Sequence, residues 1–542
     1  MAKIKFTLIL FLALIQTRLC AQSPWPNGLI LTPERSQFQK TSTHKDVIDF
    51  LNEIKTQSDK VFVFSMGTSL EGKEIPVAIL ANPLIKTAAQ AKASGKAVVY
   101  VQGNIHAGEV EGKEAIMMLM RDILLGDKKH LLDNLIVLFA PIYNTDANDK
   151  MAKGLRPSQE DSPIETGQRE SSEGFDLNRD GMKLEAIETR GLFENVILPW
   201  DPQIFVDLHT TNGTWHAYPL TWAPSYHSAG EYEPFEYSYY KMLPSISRIV
   251  FENHQLQFGV YGDYNLEEGW PPKNFYTYNH HPRYLVNQFG LRNRMAILSE
   301  AFAHNRFYER MNSTYIFMAE ILEFANKNAH EIMDITQRAD DSTIANVLKN
   351  SGKIKKGTQY KLAPLNQLND FITYDYIKAL DSTGNQKYYR TSKLVKYSGI
   401  EYHAKFESIR SSTLPRGYIV PAEFTNVIKN LKQHGIQIEV LKNNQVFEGE
   451  SFEIDSFTNA KTSFQKHNAC TLNGHFNPAI KKFKKGDVRV DMAQPLSNLI
   501  FYLLEPESDD GLVHWNYFDT YLTQPWNKKK PMTYPIFKYF EK

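Results

Sequence analysis

Residues 97–109 read Ala97-Val98-Val99-Tyr100-Val101-Gln102-Gly103-Asn104-Ile105-His106-Ala107-Gly108-Glu109. Ala97 to Gln102 has the length and the β-branched, aromatic content of a strand buried on both faces. Gly112 to Leu125 follows with Ala115, Met118, Leu119 and Ile123 at helical spacing, and Gly126 as a stop. The polar stretch between them, with His106 and Glu109 behind Gly103 and Gly108, is therefore a strand-to-helix loop. Open α/β sheets build their sites at that carboxyl edge, and the two glycines are expected to let the loop bend sharply.

Working outward, the same alternation runs from about Ser42 to Ala329. Val61–Phe64 and Ile75–Leu80 read as strands joined by the turn Ser69-Leu70-Glu71-Gly72. Leu135–Tyr143, Ile204–Leu208 and Met295–Ser299 read as further strands. Met182–Leu198 reads as a helix closed by Pro199, and Tyr308 to about Ile335 as one long amphipathic helix. The fold class is thus α/β: a mixed, mostly buried sheet flanked by helices. After about Asp340 the texture changes, with the polar stretch Lys353-Ile354-Lys355-Lys356-Gly357 near the change. Short strands and turns then dominate, apart from a helix at Ala422–His434 and a strand at Gln437–Leu441. This gives an α/β domain over 22–340 and a smaller β-rich accessory domain over 341–542, with Ser497–Leu504 and Trp515–Phe518 in its core.

At the N-terminus Lys3 and Lys5 precede an apolar run, Phe6–Ile15, and the segment ends at Cys20-Ala21-Gln22. That pattern is a secretory signal peptide over 1–21, and it places the protein outside the cytoplasm, periplasmic or secreted. Elsewhere no stretch of eighteen apolar residues occurs, so stable membrane insertion after cleavage is not expected. Lys+Arg and Asp+Glu balance at 61 each, so no basic field draws the chain to nucleic acid. With Cys20 in the leader and Cys470 alone beyond it, a metal must be held by His, Asp or Glu.

Four polar signals sit at strand ends or in loops. His106-x-x-Glu109 follows the first strand. Phe175-Asp176-Leu177-Asn178-Arg179-Asp180 is a compact charged loop. His209 closes the apolar run Ile204-Phe205-Val206-Asp207-Leu208, and Glu300 closes Met295-Ala296-Ile297-Leu298-Ser299. Each alone is a common surface feature; the four in this order resemble the zinc carboxypeptidase family, the carboxypeptidase A-like metallocarboxypeptidases, over roughly residues 40–330. The resemblance implies one Zn2+ per chain, held by His106, Glu109 and His209, with Asp176 anchoring His106 from behind. It implies Glu300 as general base, Asn178 and Arg179 as the grip on a substrate's terminal carboxylate, and Arg169 (or Arg156) as the oxyanion donor. A substrate-binding tyrosine is implied in the stretch containing Tyr276, Tyr278 and Tyr284, with Tyr278 and Tyr284 favoured. The pocket is expected between His209 and Glu300, with Trp215 and Trp222 among its candidates and Asp263, Glu267 and Glu268 as candidate acids.

The function so implied is hydrolysis of C-terminal peptide bonds in a peptide or peptide-like substrate. Zinc would lower the pKa of a bound water toward ~7. Two other readings share parts of this pattern: a zinc amidase or deacylase acting on cell-wall peptides or N-acyl amino acids, and a degenerate peptide- or glycan-binding protein. His216 and His227 read as wall or surface residues. His280 and His281 do not read as a second metal site, because adjacent side chains seldom point at one ion.

Overall fold

The computed structural model describes residues 25–159, 163–226, 228–524 and 532–540. The leader segment 1–21 and His227 lie outside the described residues. The centre is an eight-stranded sheet. Across it run Val61–Thr68, Glu74–Leu80, Leu135–Ala140, Ala97–Gly103, Ile204–Thr210, Met295–Ala301, Leu220–Pro224 and Gly259–Val260. The four inner strands from Leu135–Ala140 to Met295–Ala301 are mutually parallel. The Val61–Thr68 and Glu74–Leu80 hairpin joins antiparallel on one side, and Leu220–Pro224 joins antiparallel on the other. The sheet is mixed, as expected. Every residue of Ala97–Gly103, Ile204–Thr210 and Met295–Ala301 is buried, which is why these segments read as continuous rather than alternating apolar runs.

Helix Glu111–Leu124 follows the first strand, one residue earlier than the periodicity predicts. Two other helices differ from expectation. The segment after Met182 does not become helical until Ile187, because the Asp180 carboxylate accepts from the N–H groups of Glu185 and Ala186 at 3.1 and 2.9 Å and holds 180–186 as a loop. Nor does Pro199 close that helix. A widened π turn at Phe193–Ile197 precedes Leu198–Trp200, and left-handed Asp201 (φ 43°) ends it; the widened turn accommodates proline's missing N–H. The long helix after Tyr308 is two helices, Phe307–Lys327 and Ala329–Asn350. At the break, Asn328 donates from its side chain to the Phe324 carbonyl at 2.7 Å and competes with helix continuation.

Ala329–Asn350 runs unbroken through position 340, where Asp340 pairs with Arg294 at 3.0 Å. Beyond it the chain is β-rich. Lys355–Leu368 pairs with Ile400–Thr413, to which Asn274–Tyr276 adds in parallel. Phe371–Leu380 and Gln386–Tyr397 form a hairpin, and a further seven-stranded sheet includes Gln445–Asn459 and Cys470–Phe483. The packing is continuous with the first part: Phe371, Ile400, Tyr402 and Phe406 are buried in the same cluster as the large sheet. Met182 and Leu291 in turn join the cluster of Leu431, Phe501 and Trp515. Helix Ser497–Leu504 is wholly buried.

Candidate active site

His106 and Glu109 lie in the loop between Ala97–Gly103 and Glu111–Leu124. The sharp bend falls at Asn104 (φ 68°) rather than at either glycine. Gly103 and Gly108 serve close approach instead. A Cβ on Gly103 would come 2.9 Å from the Gly112 backbone carbon, and one on Gly108 2.8 Å from the Gly167 carbonyl oxygen. The loop is pinned by Asn104 and Asn144, whose amides donate to the carbonyls of Ala107 and Ile105 at 3.1 and 3.2 Å.

His209 is the penultimate residue of its strand, and the parallel register sets Glu300 directly beside it. The ligand atoms of His106, Glu109 and His209 lie within 4.8 Å of one another, and all three side chains are buried. His106 Nδ1 is 3.0 Å from Glu109 Oε1, and His209 Nδ1 is 2.9 Å from Glu109 Oε2. Each imidazole thus turns Nδ1 to the shared centre and Nε2 outward. His106 Nε2 is 3.0 Å from Asp176 Oδ1, and His209 Nε2 is 3.0 Å from Asp207 Oδ2. Two imidazoles and a carboxylate with their outer nitrogens set against carboxylates suit a zinc ion.

The electrostatics follow from burial among charges. Burial opposes ionisation of Glu109, but His106 and Arg156 outweigh it and hold the carboxyl well below its usual range. Asp176 is likewise buried, and His106, Arg179 and Arg169 pull it far down. Burial would discharge His209, yet Asp207 and Glu109 raise it well above an ordinary histidine. Glu300 goes the other way: burial pushes it up to about 8. Among the described residues its buried Oε2 has no hydrogen-bond partner.

A cavity of about 490 Å³ opens over the centre. Arg156, Arg169 and Arg179 line it, as do Asn178, Tyr278 and Tyr284. Arg169 donates from Nε and Nη2 to Asp176 Oδ2 at 3.0 and 2.9 Å, whereas Arg156 Nη1 meets Glu109 Oε1 at 3.0 Å. Arg179 stacks on Tyr284 at 4.3 Å, and Asn178 Oδ1 accepts from the Leu285 N–H at 3.1 Å. The Tyr278 hydroxyl is held by the Pro224 carbonyl and Asn287 Oδ1 at 2.9 and 3.0 Å. Tyr276 is not on the cavity; its hydroxyl binds Glu268.

The expected tryptophans are not pocket walls. Trp222 is buried and donates to Ser247 at 2.7 Å, and Trp215 is sandwiched between His304 and Arg390. His216 is a buried core histidine, pushed down to about 3 by burial. Asp263, Glu267 and Glu268 do not reach the cavity either. Sequence reasoning missed Asp207 and Tyr261, the latter also on the wall. Asp207 did leave a signal: it is a charge within an apolar run, two residues before His209, hence on the same face of the strand.

The fold and this centre define a class: mixed α/β proteins with a His, Glu, His cluster of metal-ligand character at the sheet's carboxyl edge. Residues 47–269 match the sequence model of the family described as zinc carboxypeptidase, and the protein is a hydrolase of the zinc metallocarboxypeptidase kind. Carboxypeptidase 2 of Trichophyton tonsurans is 21% identical over 473 residues, covering 82% of this chain and 78% of its own. Carboxypeptidase 2 of Trichophyton rubrum is 21% identical over 486 residues, covering 84% and 80%. Among solved structures, a metallo-carboxypeptidase from Burkholderia cenocepacia aligns with 15% identity and a TM-score of 0.40, over 53% of this chain and 70% of that one.

Proposed function

We propose that the protein is an exported carboxypeptidase that removes single residues from the free C-terminal end of peptides, with a preference for apolar or aromatic side chains. One observation carries this reading: three metal-ligand atoms from two distant segments converge in a cavity that Arg179 also lines. A zinc ion held by His106 Nδ1, Glu109 and His209 Nδ1 would supply Lewis acidity and an acidified water.

This chain's own groups do the rest. Asn178 and Arg179 grip the terminal carboxylate; stacking on Tyr284 aims the guanidinium fork, whose planar geometry matches two carboxylate oxygens. Glu300, whose Oε2 has no hydrogen-bond partner among the described residues, would in its ionised form, which the charge of a bound zinc ion favours, take a proton from water and return it to the leaving amine. Arg156 faces the carbonyl oxygen of the cleaved bond. Arg169 also lines the cavity and is the alternative for that role; its Nε and Nη2 are held by Asp176, as Arg156 Nη1 is held by Glu109. Tyr261, Tyr278, Val286 and Leu298 wall the side-chain pocket. Among the described residues Glu109 and Glu300 are the only carboxylates lining it. Among the described residues no further acid lines it to pair a basic side chain, which supports the apolar preference.

Export rests on the leader pattern of residues 1–21; among the described residues no helix is long and apolar enough to cross a membrane. The division into 22–340 and an accessory 341–542 is supported by the change to β-rich structure, although the two parts share buried clusters.

The test is a mass-spectrometric cleavage screen of the zinc-loaded protein. Peptides ending in free Phe, Leu, Lys or Glu, their C-terminal amides and cell-wall peptides are offered together. Release of Phe and Leu, with the amides cut at least ~10²-fold more slowly, is expected. Equal cleavage of acids and amides would remove the exopeptidase reading, and a preference for Lys would remove the pocket assignment.

A further inference from the structure

Away from the first centre, the fold brings together a second group with metal-ligand chemistry. His280, His281 and Asp509 each offer one ligand atom, and these atoms lie within 4.8 Å of one another. The sequence reading set the two histidines aside because neighbours in an extended chain diverge. Here they sit in a turn. Asn279 Oδ1 accepts from the His281 N–H at 3.1 Å, and the rings fold to the same side, 4.6 Å apart at 42°. The third member comes from the far end of the sequence and could not be paired with them by inspection.

Asp509 is held firmly for this role. Its Oδ1 accepts from the Tyr502 hydroxyl, and its Oδ2 accepts from the Tyr360 N–H at 3.2 Å while facing His280 Nε2 at 3.2 Å. His280 is buried and His281 half-buried, so one side of the group stays open for water. The neighbouring cation does not stand in the way: Arg283 pairs with Asp510 at 2.8 Å, and that carboxylate offsets its charge. Two imidazoles, one carboxylate and a solvent side suit zinc or a similar borderline divalent ion. An ion there would draw the three atoms, now within 4.8 Å of one another, to the ~2.0–2.2 Å bonds it makes.

We propose that His280, His281 and Asp509 form a second divalent-metal site, distinct from the catalytic one, which staples the loop carrying Tyr278 and Tyr284 to the C-terminal region. The loop is already tied there by backbone pairing of Asn274–Tyr276 with Ile400–Thr413 and by the Thr277 N–H donated to the His403 carbonyl at 3.0 Å. An ion adds a side-chain clamp at its other end and fixes one wall of the cavity. The chain then carries two ions rather than one.

The experiment is a zinc count by mass spectrometry on the full chain, stripped with chelator, reloaded with zinc and desalted. Wild type is expected to hold two equivalents, His281→Ala one, His106→Ala one and the double variant none. One equivalent in wild type, unchanged in His281→Ala, overturns the proposal; so do two equivalents that survive His281→Ala. Failure of the catalytic-site reading looks different, since His106→Ala would then keep the full wild-type count. Thermal melts guard against misfolding. Zinc is expected to raise the midpoint of His106→Ala but not that of His106→Ala/His281→Ala, and an equal rise in both sinks the second site.

Discussion

Replacing Asp207 with Asn tests the centre where the structure adds most to the sequence. Asp207 is fully buried in Ile204–Thr210; its Oδ1 accepts from Gln102 Nε2 at 3.0 Å, and its Oδ2 lies 3.0 Å from His209 Nε2. Asn keeps the shape and can still meet Gln102 through its carbonyl oxygen. What disappears is the anion that raises the basicity of His209, the proposed ligand, and fixes its ring. Loss of such an outer partner weakens a metal site by about 10–100-fold, or about 1.4–2.7 kcal/mol. The assay is a competition titration of metal-stripped protein against a chromophoric chelator, with circular dichroism confirming the fold. Zinc affinity in Asp207→Asn equal to wild type, with the fold intact, would refute the role assigned to this carboxylate and the use of Nδ1 as the ligand atom.

Glu300→Gln is expected to retain zinc while losing about 10²–10⁴-fold in kcat, checked by metal content beside steady-state kinetics; a variant as active as wild type removes the general-base assignment. Gln465 reaches from the turn between the long strands Gln445–Asn459 and Cys470–Phe483 and accepts the Asp176 N–H at 2.8 Å. Gln465→Ala is expected to cost about 1–2 kcal/mol of stability and to weaken zinc binding by a smaller factor than Asp207→Asn, read by denaturant melts and the same titration. Glu188 is buried beside Glu173, Asp146 and Asp180, and burial pushes it up to about 7 from an ordinary 4.5. The folded state therefore holds this proton more tightly than the unfolded chain. Its contribution is fully present below pH ~4.5 and is lost as pH rises to ~7, by about 3 kcal/mol. Denaturant melts across that range should show the decline in wild type and a flatter profile in Glu188→Gln.

The sequence by itself determined the sheet and placed four polar candidates at its carboxyl edge. The strands buried on both faces read as unbroken apolar runs; His209 and Glu300 end two of them and His106 and Glu109 lie in the loop behind a third, while the metal and general-base roles proposed for the four came from the family resemblance, not from local pattern. Helix ends were less legible. Asp180 capping a loop, the π turn before Pro199 and the competing amide of Asn328 are side-chain and backbone details that apolar periodicity does not register. The tertiary structure alone decided what requires distant segments to meet: Asp207 behind His209 through strand register, Gln465 bracing Asp176 and Asp509 joining His280 and His281. It also decided which aromatic residues face the cavity, taking Trp215 and Trp222 out of the wall and putting Tyr261 into it. Hydrophobic pattern along a chain specifies which face of an element is buried. Which other element covers that face, and so which polar groups end up within hydrogen-bond reach, is settled only by packing.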